Sequence, residues 1–236
     1  MILLKPYDPT TPIPLTPAKA DPIPVVTQEE PLICISDTLA DVFLFEPQYH
    51  LMGIEGAIPR VYVRQTVRNM LLEAARALPT GYKLKILDAW RPAAVQRSLF
   101  WDYYRTLEAQ HPQWDREQLL SAARCFVSYP SEDPMQPFVH ATGGAVDLTI
   151  VDPNGKNLDM GTRFDDFTDA AHTAAFEGSD NTTVRDNRRL LYNLMTAAGF
   201  TNYSYEWWHY DFGDRFWAEI TGQSPIYHGI YTEPTP

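Results

Sequence analysis

The stretch that decides the fold is HATGGAVDLTI, residues 140–150, which places a histidine before a Thr-Gly-Gly turn and an aspartate inside an apolar run. The apolar run predicts a buried strand over residues 145–151. Burying the carboxylate of Asp147 in such a strand costs several kcal/mol unless it is paired or holds a metal. His140 is the nearest partner, because Gly143 and Gly144 permit a tight turn back toward the strand. A solvated loop histidine beside an ion-paired aspartate is the alternative.

A second group of reactive side chains lies in YEWWHY, residues 205–210, where Glu206 and His209 stand three positions apart among aromatic residues. A strand predicted over residues 203–212 would send these two side chains to opposite faces, so either a bulge or a strand end must bring them to one site. Taken alone, this segment also fits a packing cluster with a core histidine. With His140 and Asp147, however, it completes the residue types of a catalytic zinc site: three ligands and a general base.

The third segment is DAWRP, residues 88–92, at the end of a strand predicted over residues 82–87. Arg91 has two interpretations. It forms a structural ion pair with Asp88, or it is a cation directed at a developing oxyanion.

The composition excludes some classes of function. The chain has 236 residues, 44% of them hydrophobic, which is enough for one sizeable core. Nineteen Lys and Arg against 30 Asp and Glu give a net charge of -11, so we expect no nucleic-acid partner. No apolar run reaches the ~18 residues of a membrane span, so we expect no membrane association. The oligomeric state is not indicated.

The two cysteines, Cys34 and Cys125, both lie in apolar surroundings and are predicted to be buried free thiols. A reduced compartment suits two unpaired cysteines, and the N-terminal apolar run is too short for a signal sequence. The sequence therefore predicts a cytoplasmic protein.

Eight of the twenty prolines precede Ile33, which predicts an extended arm over residues 1–33 before a catalytic domain over residues 34–236. This arm either wraps the domain or is a partner-binding tail. We expect wrapping, because the arm offers apolar anchors, which are Ile2, Leu3, Leu4, Ile13, Leu15, Val25 and Val26.

Helical periodicity predicts helices over residues 61–78, 93–109, 115–127 and 184–198, with Asp115 as a cap. Residues 152–183 are predicted to be a functional loop. Strands separated by unequal connections favour an α+β fold, a single domain whose central antiparallel sheet is flanked by helices.

Four motifs in this order, DAWRP, HATGGAVDLTI, MGTRFDDF and EWWHYDF, resemble those of the zinc D-alanyl-D-alanine dipeptidases, the VanX-type enzymes of bacteria. That family belongs to a wider class of peptidoglycan metallopeptidases, which includes D,D-carboxypeptidases and shares its fold with the hedgehog signalling domain. The resemblance covers residues 82–212.

The resemblance implies that His140, Asp147 and His209 bind one Zn²⁺ per chain. It implies that Glu206 is the general base, which takes a proton from the zinc-activated water and passes it to the leaving amine.

Two further roles are implied by the resemblance. Arg91 would stabilise the tetrahedral oxyanion. Asp165, in MGTRFDDF, would bind the free α-amino group of the substrate and so restrict the enzyme to dipeptides, with the adjacent Asp166 as the alternative.

One position departs from the family pattern, which has a serine two residues before the first zinc histidine. Here that position is Phe138, which removes a polar hydroxyl contact from the edge of the substrate pocket. The family's tyrosine-bearing N-terminal segment corresponds to Tyr49 or Tyr62. His172 and His228 lie outside the motifs and are expected at the surface or behind the site.

Three functions follow from these observations. The first is a zinc peptidase that hydrolyses D-Ala-D-Ala to two D-alanines. The second is a D,D-carboxypeptidase or stem-peptide endopeptidase of the same class, which would need an open groove. The third is a zinc-stabilised binding module without catalysis, but such a module would be expected to lack Glu206 or Arg91, and both are present.

Overall fold

The computed structural model describes residues 4–15, 30–134 and 136–234. Within these ranges the chain forms seven strands and six α-helices. In chain order they are β1 Leu32–Cys34, β2 Leu44–Phe45, α1 Gln48–Leu51, β3 Tyr62–Arg64, α2 Gln65–Ala77, β4 Lys83–Asp88, α3 Ala93–Gln110, α4 Arg116–Phe126, β5 Ala145–Val151, α5 Thr182–Ala197, β6 Thr201–Asn202, β7 His209–Asp211 and α6 Arg215–Thr221.

A five-stranded sheet in the order β2-β4-β5-β7-β6 forms the centre of the fold. The pairs β4-β5, β5-β7 and β6-β7 are antiparallel, while the short edge strand β2 is parallel to β4. The predicted α+β domain with helices around one sheet is confirmed, and the sheet is antiparallel except at this edge. Strands β1 and β3 form a separate antiparallel pair.

The middle strand, β5, determines which face of the sheet carries the core. Its residues Val146, Leu148 and Ile150 point to one face and join the main hydrophobic cluster with side chains of α2 and α5. Asp147 alternates with them and therefore points to the opposite face. The site thus lies on the side of the sheet away from the main core.

Helices α3 and α4 pack together on that opposite side, with their own small cluster around Phe100 and Leu119. The predicted cap of α4 is present, since the Asp115 carboxylate accepts a hydrogen bond from the Gln118 amide and the Gln118 side chain bonds back to the Asp115 amide. Because Phe167 packs against the same cluster, the long loop after β5 closes over this helix pair.

The helix predicted to begin at residue 61 begins instead at Gln65, because residues 62–64 form β3. Tyr62 and Val63 pair with Cys34 and Ile33 of β1, so a strand distant in sequence overrides the helical pattern.

The single strand predicted over residues 203–212 is also wrong. The chain forms β6, turns through residues 203–208 and returns as β7. The side chain of Asn202 donates hydrogen bonds to the carbonyls of Glu206 and His209, at 3.1 and 2.9 Å, and the Thr173 hydroxyl donates to the Glu206 carbonyl at 3.2 Å. These bonds satisfy the backbone of the turn and hold Glu206 at its tip.

Of the predicted arm, residues 4–15 lie against α5, and the described residues 30–33 lead into and begin β1. The Lys5 amide donates to the carbonyl of Ala197, and Ile13 is 4% exposed. Leu4 also packs against the core, whereas Leu15 is 82% exposed and is not an anchor. The predicted anchors Ile2, Leu3, Val25 and Val26 lie outside the described residues. The division of the chain at residue 33 stays a prediction.

Cys34 is half-buried and Cys125 is exposed, and both are free. The prediction that they are buried is therefore wrong. Among the described residues, no helix is long and apolar enough to cross a membrane.

The loop predicted over residues 152–183 is held in place by one buried side chain of α5. Arg188 is 1% exposed, and its guanidinium donates to the carbonyls of Met160, Ala170 and His172 at 2.6 to 2.8 Å. Burial lowers the pKa of Arg188 to about 10. The carbonyl dipoles take the place of a carboxylate partner, so this arginine ties the loop to the core.

Replacing Arg188 by lysine tests this role. A lysine ammonium cannot reach the three carbonyls in the fork geometry of a guanidinium, so we expect Arg188→Lys to lower the free energy of unfolding by about 2 to 3 kcal/mol. Urea denaturation followed by circular dichroism measures the change. Arg185→Lys, on the same helix but paired with Asp186, is the control. Equal midpoints for the two variants would contradict the assignment.

Candidate metal centre and surrounding site

Three strands bring charged side chains into one row across the sheet. Asp147 on β5 is paired with Asp88 on β4 and with His209 on β7. The pairing of β4 with β5 is irregular between Ile86 and Asp88, and this bulge sets Asp88 opposite Asp147. Two acids and one imidazole therefore meet in adjacent strands.

His140 enters the same site from a 3₁₀ turn over Val139–Thr142 that precedes β5. Gly143 has φ 71°, and a Cβ on Gly144 would lie 2.3 Å from the Phe212 carbonyl oxygen, so both positions require glycine. The His140 Nδ1 lies 2.7 Å from the Ala89 carbonyl oxygen. A carbonyl can only accept, so Nδ1 carries the proton and Nε2 is left as the free nitrogen.

That free nitrogen, Nε2 of His140, lies 3.4 Å from Oδ2 of Asp147. Burial and the positive charge of Arg91 hold the pKa of His140 well below its usual value. The imidazole is therefore neutral, which is the form that binds metal.

His209 is oriented by an acid on its own strand. Its Nε2 lies 2.8 Å from Oδ1 of the buried Asp211, while Nδ1 lies 2.9 Å from Oδ1 of Asp147. Burial disfavours the imidazolium, but Asp211 and Asp147 outweigh it and raise the pKa of His209 well above its usual value. A carboxylate behind a ligating histidine fixes which ring nitrogen faces the metal. Here Nδ1 is the nitrogen that faces the site.

The three residues supply a set of donors that suits Zn²⁺. Ligand atoms of His140, Asp147 and His209 all lie within 4.8 Å of one another, and all three side chains are buried. Two imidazole nitrogens and one carboxylate, with each outer ring nitrogen already hydrogen-bonded, form the ligand set of a catalytic zinc site. The residues fit the metal.

Arg91 lies beside this cluster, and it makes the ion pair considered from the sequence. Its Nε donates to Asp88 at 2.8 Å, Nη1 donates to Gln96 at 2.7 Å, and Nη2 lies 3.5 Å from Asp147. The Tyr49 ring stacks under the guanidinium at 4.7 Å. Burial raises the pKa of Asp88 to about 6, although the adjacent Arg91 opposes the rise.

Glu206 reaches the same site from the turn between β6 and β7. Because it is not in the same strand as His209, strand alternation does not send the two side chains to opposite faces. Its Oε2 lies 3.8 Å from Nδ1 of His209. Burial raises the pKa of Glu206 to about 8, with the negative charges of Asp147 and Asp165 adding to the effect and His209 opposing it. An acid with a pKa near neutrality can take and return a proton.

Asp165 also lines the site, in a left-handed backbone conformation with φ 56°, and is the one described residue other than glycine with a positive φ. Its Oδ2 accepts a hydrogen bond from the Tyr49 hydroxyl at 2.9 Å. Burial raises the pKa of Asp165 to about 7, against the effect of Arg91. The neighbouring Asp166 bonds to Thr168 instead and does not line the cavity.

Residues 59–225 match the D-ala-D-ala dipeptidase family. The chain is 27% identical over 227 residues to the D-alanyl-D-alanine dipeptidase of Synechocystis sp., covering 87% of this chain and 90% of that protein. It is 33% identical over 165 residues to the enzyme of the same name from Enterococcus faecium, covering 67% of this chain and 76% of that protein. A D-alanyl-D-alanine dipeptidase of Enterococcus faecalis is 31% identical over 165 residues, which again cover 67% of this chain and 76% of that protein.

This chain belongs to the D-ala-D-ala dipeptidase family. The resemblance predicted from the four motifs is thereby confirmed, and with it the assignment to the peptidases, a class of hydrolases. Membership also agrees with a sheet flanked by helices and with a metal-binding cluster of the kind described above.

The dipeptidase-family site opens into a cavity of about 620 Å³ between the sheet and the α3-α4 pair. All six predicted site residues line it: Arg91, His140, Asp147, Asp165, Glu206 and His209. A larger cavity of about 870 Å³ beside the N-terminal segment and α5 contains none of the six. The structure thus brings the predicted residues into one space, while their individual roles stay predictions.

Two site residues were missed or left open by the sequence. Asp211 was not assigned, although its place two residues after His209 puts both side chains on one face of β7. Tyr49 lies in the site, whereas Tyr62 packs on Trp90 at 6.2 Å. No local signal distinguished these two tyrosines.

Three other residues named from the sequence are also placed. Phe138 is buried and lines the cavity with an aromatic ring. His172 packs against Tyr205, outside this cavity, and His228 does not line it.

Removing one ligand tests the metal centre. We expect Asp147→Ala to bind no Zn²⁺, because two imidazoles alone hold the ion weakly, while the wild type binds one per chain. Zinc content after dialysis, measured by atomic absorption, gives the result. His172→Ala is the control and should retain the metal. Retention of one zinc by Asp147→Ala would exclude Asp147 as a ligand.

Proposed function

We propose that this protein is a Zn²⁺-dependent dipeptidase that hydrolyses D-Ala-D-Ala to two D-alanines. One observation carries the proposal. The cluster of His140, Asp147 and His209 shares one cavity with Glu206 and Arg91, in a chain that belongs to this family. A metal cluster alone fits many roles, but an acid and a cation placed on either side of it are typical of hydrolysis.

His140 Nε2, His209 Nδ1 and the Asp147 carboxylate would hold the ion. When bound, Zn²⁺ lowers the pKa of a coordinated water toward about 7 and polarises a carbonyl. The buried hydrogen bonds from His140 to Ala89 and from His209 to Asp211 keep both imidazoles in the orientation that this requires.

Glu206 acts as the general base in this proposal. Its carboxylate lies beside His209 and has no charged donor bonded to it among the described residues, so it is free to accept the proton of the attacking water. The same acid then protonates the leaving amine. The raised pKa keeps the proton available for this second step.

Arg91 supplies positive charge on the side of Asp147 away from His209. Its guanidinium is held by Asp88 and Gln96, so the cation needs no rearrangement when negative charge develops on the carbonyl oxygen. Preorganised charge of this kind contributes roughly 2.7 to 4 kcal/mol to transition-state stabilisation.

Asp165 is proposed to bind the α-ammonium group of the substrate. Its carboxylate lines the cavity and is held by the Tyr49 hydroxyl. A longer peptide has no ammonium at this place, which favours dipeptides over stem peptides. The cytoplasmic location stays a prediction from the sequence.

The decisive assay is release of D-alanine from D-Ala-D-Ala by the purified protein, with and without Zn²⁺. L-Ala-L-Ala and a pentapeptide ending in D-Ala-D-Ala are run in parallel. We expect zinc-dependent hydrolysis of the D,D-dipeptide alone. Cleavage of the pentapeptide alone would establish a D,D-carboxypeptidase instead. No hydrolysis of any substrate would reject the proposal.

Glu206→Gln separates proton transfer from metal binding. Because the amide cannot accept the proton, we expect kcat to fall by at least about 100-fold while one zinc per chain stays bound. Initial rates and zinc content are measured on the same preparation. Glu219→Gln, an exposed position on α6, should retain wild-type activity. A parallel loss of zinc would show that Glu206 acts as a ligand rather than as a base.

The role of Asp165 predicts a pH dependence of KM. A carboxyl group with its pKa raised to about 7 is neutral below that pH and cannot attract an ammonium, so KM should fall as the pH rises from about 5.5 to about 7, where the substrate's own α-amino group, with a pKa of about 8, stays protonated. We expect Asp165→Asn to raise KM and to remove most of this dependence. Steady-state kinetics across this pH range measure it. A wild-type KM that rises with pH would contradict the assignment.

A further inference from the structure

Three arginines line the cavity among the described residues, and they differ in what they contact. Arg91 is occupied by Asp88, Gln96 and Tyr49. Arg124 and Arg215 are exposed, and no carboxylate lies within ion-pair distance of either in the described part of the chain. Two cations without acidic partners thus stand at the mouth of a cavity whose interior is lined by acids.

Arg215 is fixed close to the metal centre. It begins α6 directly after the buried cap Asp214, and its guanidinium lies 4.6 Å from the Phe216 ring. The Phe216 ring in turn lies 6.3 Å from the His209 ring and stacks on Tyr203 at 4.9 Å. One aromatic ring therefore separates this cation from a proposed zinc ligand.

Arg124 approaches the same rim from the last turn of α4, with its guanidinium 5.0 Å from the Tyr129 ring. Ser128 lies between the two arginines in the lining of the cavity, and its hydroxyl accepts a hydrogen bond from Arg215 at 3.4 Å. Stacking on aromatic rings limits the motion of both guanidinium groups without using their N–H donors, of which one on Arg215 donates to Ser128.

The charges in the cavity determine how a zwitterionic dipeptide can enter. The interior acids Asp165 and Glu206 attract an ammonium and repel a carboxylate, and the proposed mechanism assigns Arg91 to the carbonyl oxygen of the scissile bond. The C-terminal carboxylate of a bound dipeptide therefore needs a cation elsewhere, and the rim holds two.

We propose that Arg124 and Arg215, with Ser128 between them, form a subsite for the C-terminal carboxylate of the substrate. This inference rests on the proposed dipeptidase function and adds the group that recognises the other end of the substrate. A guanidinium binds a carboxylate through two parallel hydrogen bonds, so the pair selects a free C-terminus over an amidated one. Asp165 and the arginine rim would then recognise the two ends of one short substrate.

The test compares D-Ala-D-Ala with D-Ala-D-alaninamide, which has the same scissile bond but no terminal carboxylate. We expect the wild type to show a kcat/KM for the acid on the order of 10-fold or more above that for the amide. Arg215→Gln and the double variant Arg124→Gln/Arg215→Gln should lower this ratio toward one, mainly by raising KM for the acid. Arg215→Lys should restore part of the preference.

Arg97→Gln is the matched control, because it removes one exposed arginine of α3 that pairs with Glu132 and does not line the cavity. Its acid-to-amide ratio should equal that of the wild type. A wild-type ratio near one, or a double variant that keeps the wild-type ratio, would overturn the proposed subsite even if D-Ala-D-Ala is hydrolysed.

Calorimetric titration of zinc-loaded Glu206→Gln protein measures the same preference without turnover. The Glu206→Gln protein should bind the acid more tightly than the amide. The triple variant Arg124→Gln/Glu206→Gln/Arg215→Gln should bind both ligands equally. Together these two results support the subsite whether or not the wild type hydrolyses the dipeptide. Equal affinity for the two ligands overturns it. Failure of the wild-type assay together with a retained binding preference would reject the dipeptidase proposal alone.

Discussion

A carboxylate buried in the middle strand of a sheet is the constraint on which this site depends. Asp147 is 2% exposed and is flanked in register by a second acid, Asp88, and by His209. Taking such a charge out of water costs several kcal/mol, so the surrounding structure must supply positive charge. Arg91, which lies near Asp147, supplies part of this charge, while the glycine turn returns His140 as a neutral imidazole suited to bind a metal.

Positive charge from protein groups alone does not balance this part of the molecule. Asp147, Asp165 and Glu206 line one cavity, Asp88 lies next to Asp147 on β4, and one buried arginine faces them. Burial raises the pKa of Glu206 to about 8 and that of Asp165 to about 7. A divalent cation bound by the cluster would relieve this repulsion and lower both pKa values.

Rigid elements hold the metal cluster, while loops carry the groups that would meet the substrate. Asp147 and His209 stand on paired strands, so their separation is set by the sheet. Glu206 lies on a turn anchored by Asn202, and Asp165 lies on the loop tied to α5 by Arg188. Ligand geometry is thus determined by backbone pairing, and substrate recognition by side-chain bonds that can vary without disturbing the metal centre.

The sequence by itself determined strand β5, helices α3 and α4, and the residue types of a zinc site, because these depend on local periodicity and on chemistry that few side chains provide. It could not determine that residues 62–64 leave the helical pattern for β1, or that residues 203–208 turn instead of continuing a strand. Only the tertiary structure decided which ring nitrogen of each histidine faces the site, that Tyr49 meets Asp165, and that Arg124 and Arg215 share one rim. These contacts join segments far apart in the chain, and their free energy comes from packing that no local pattern contains.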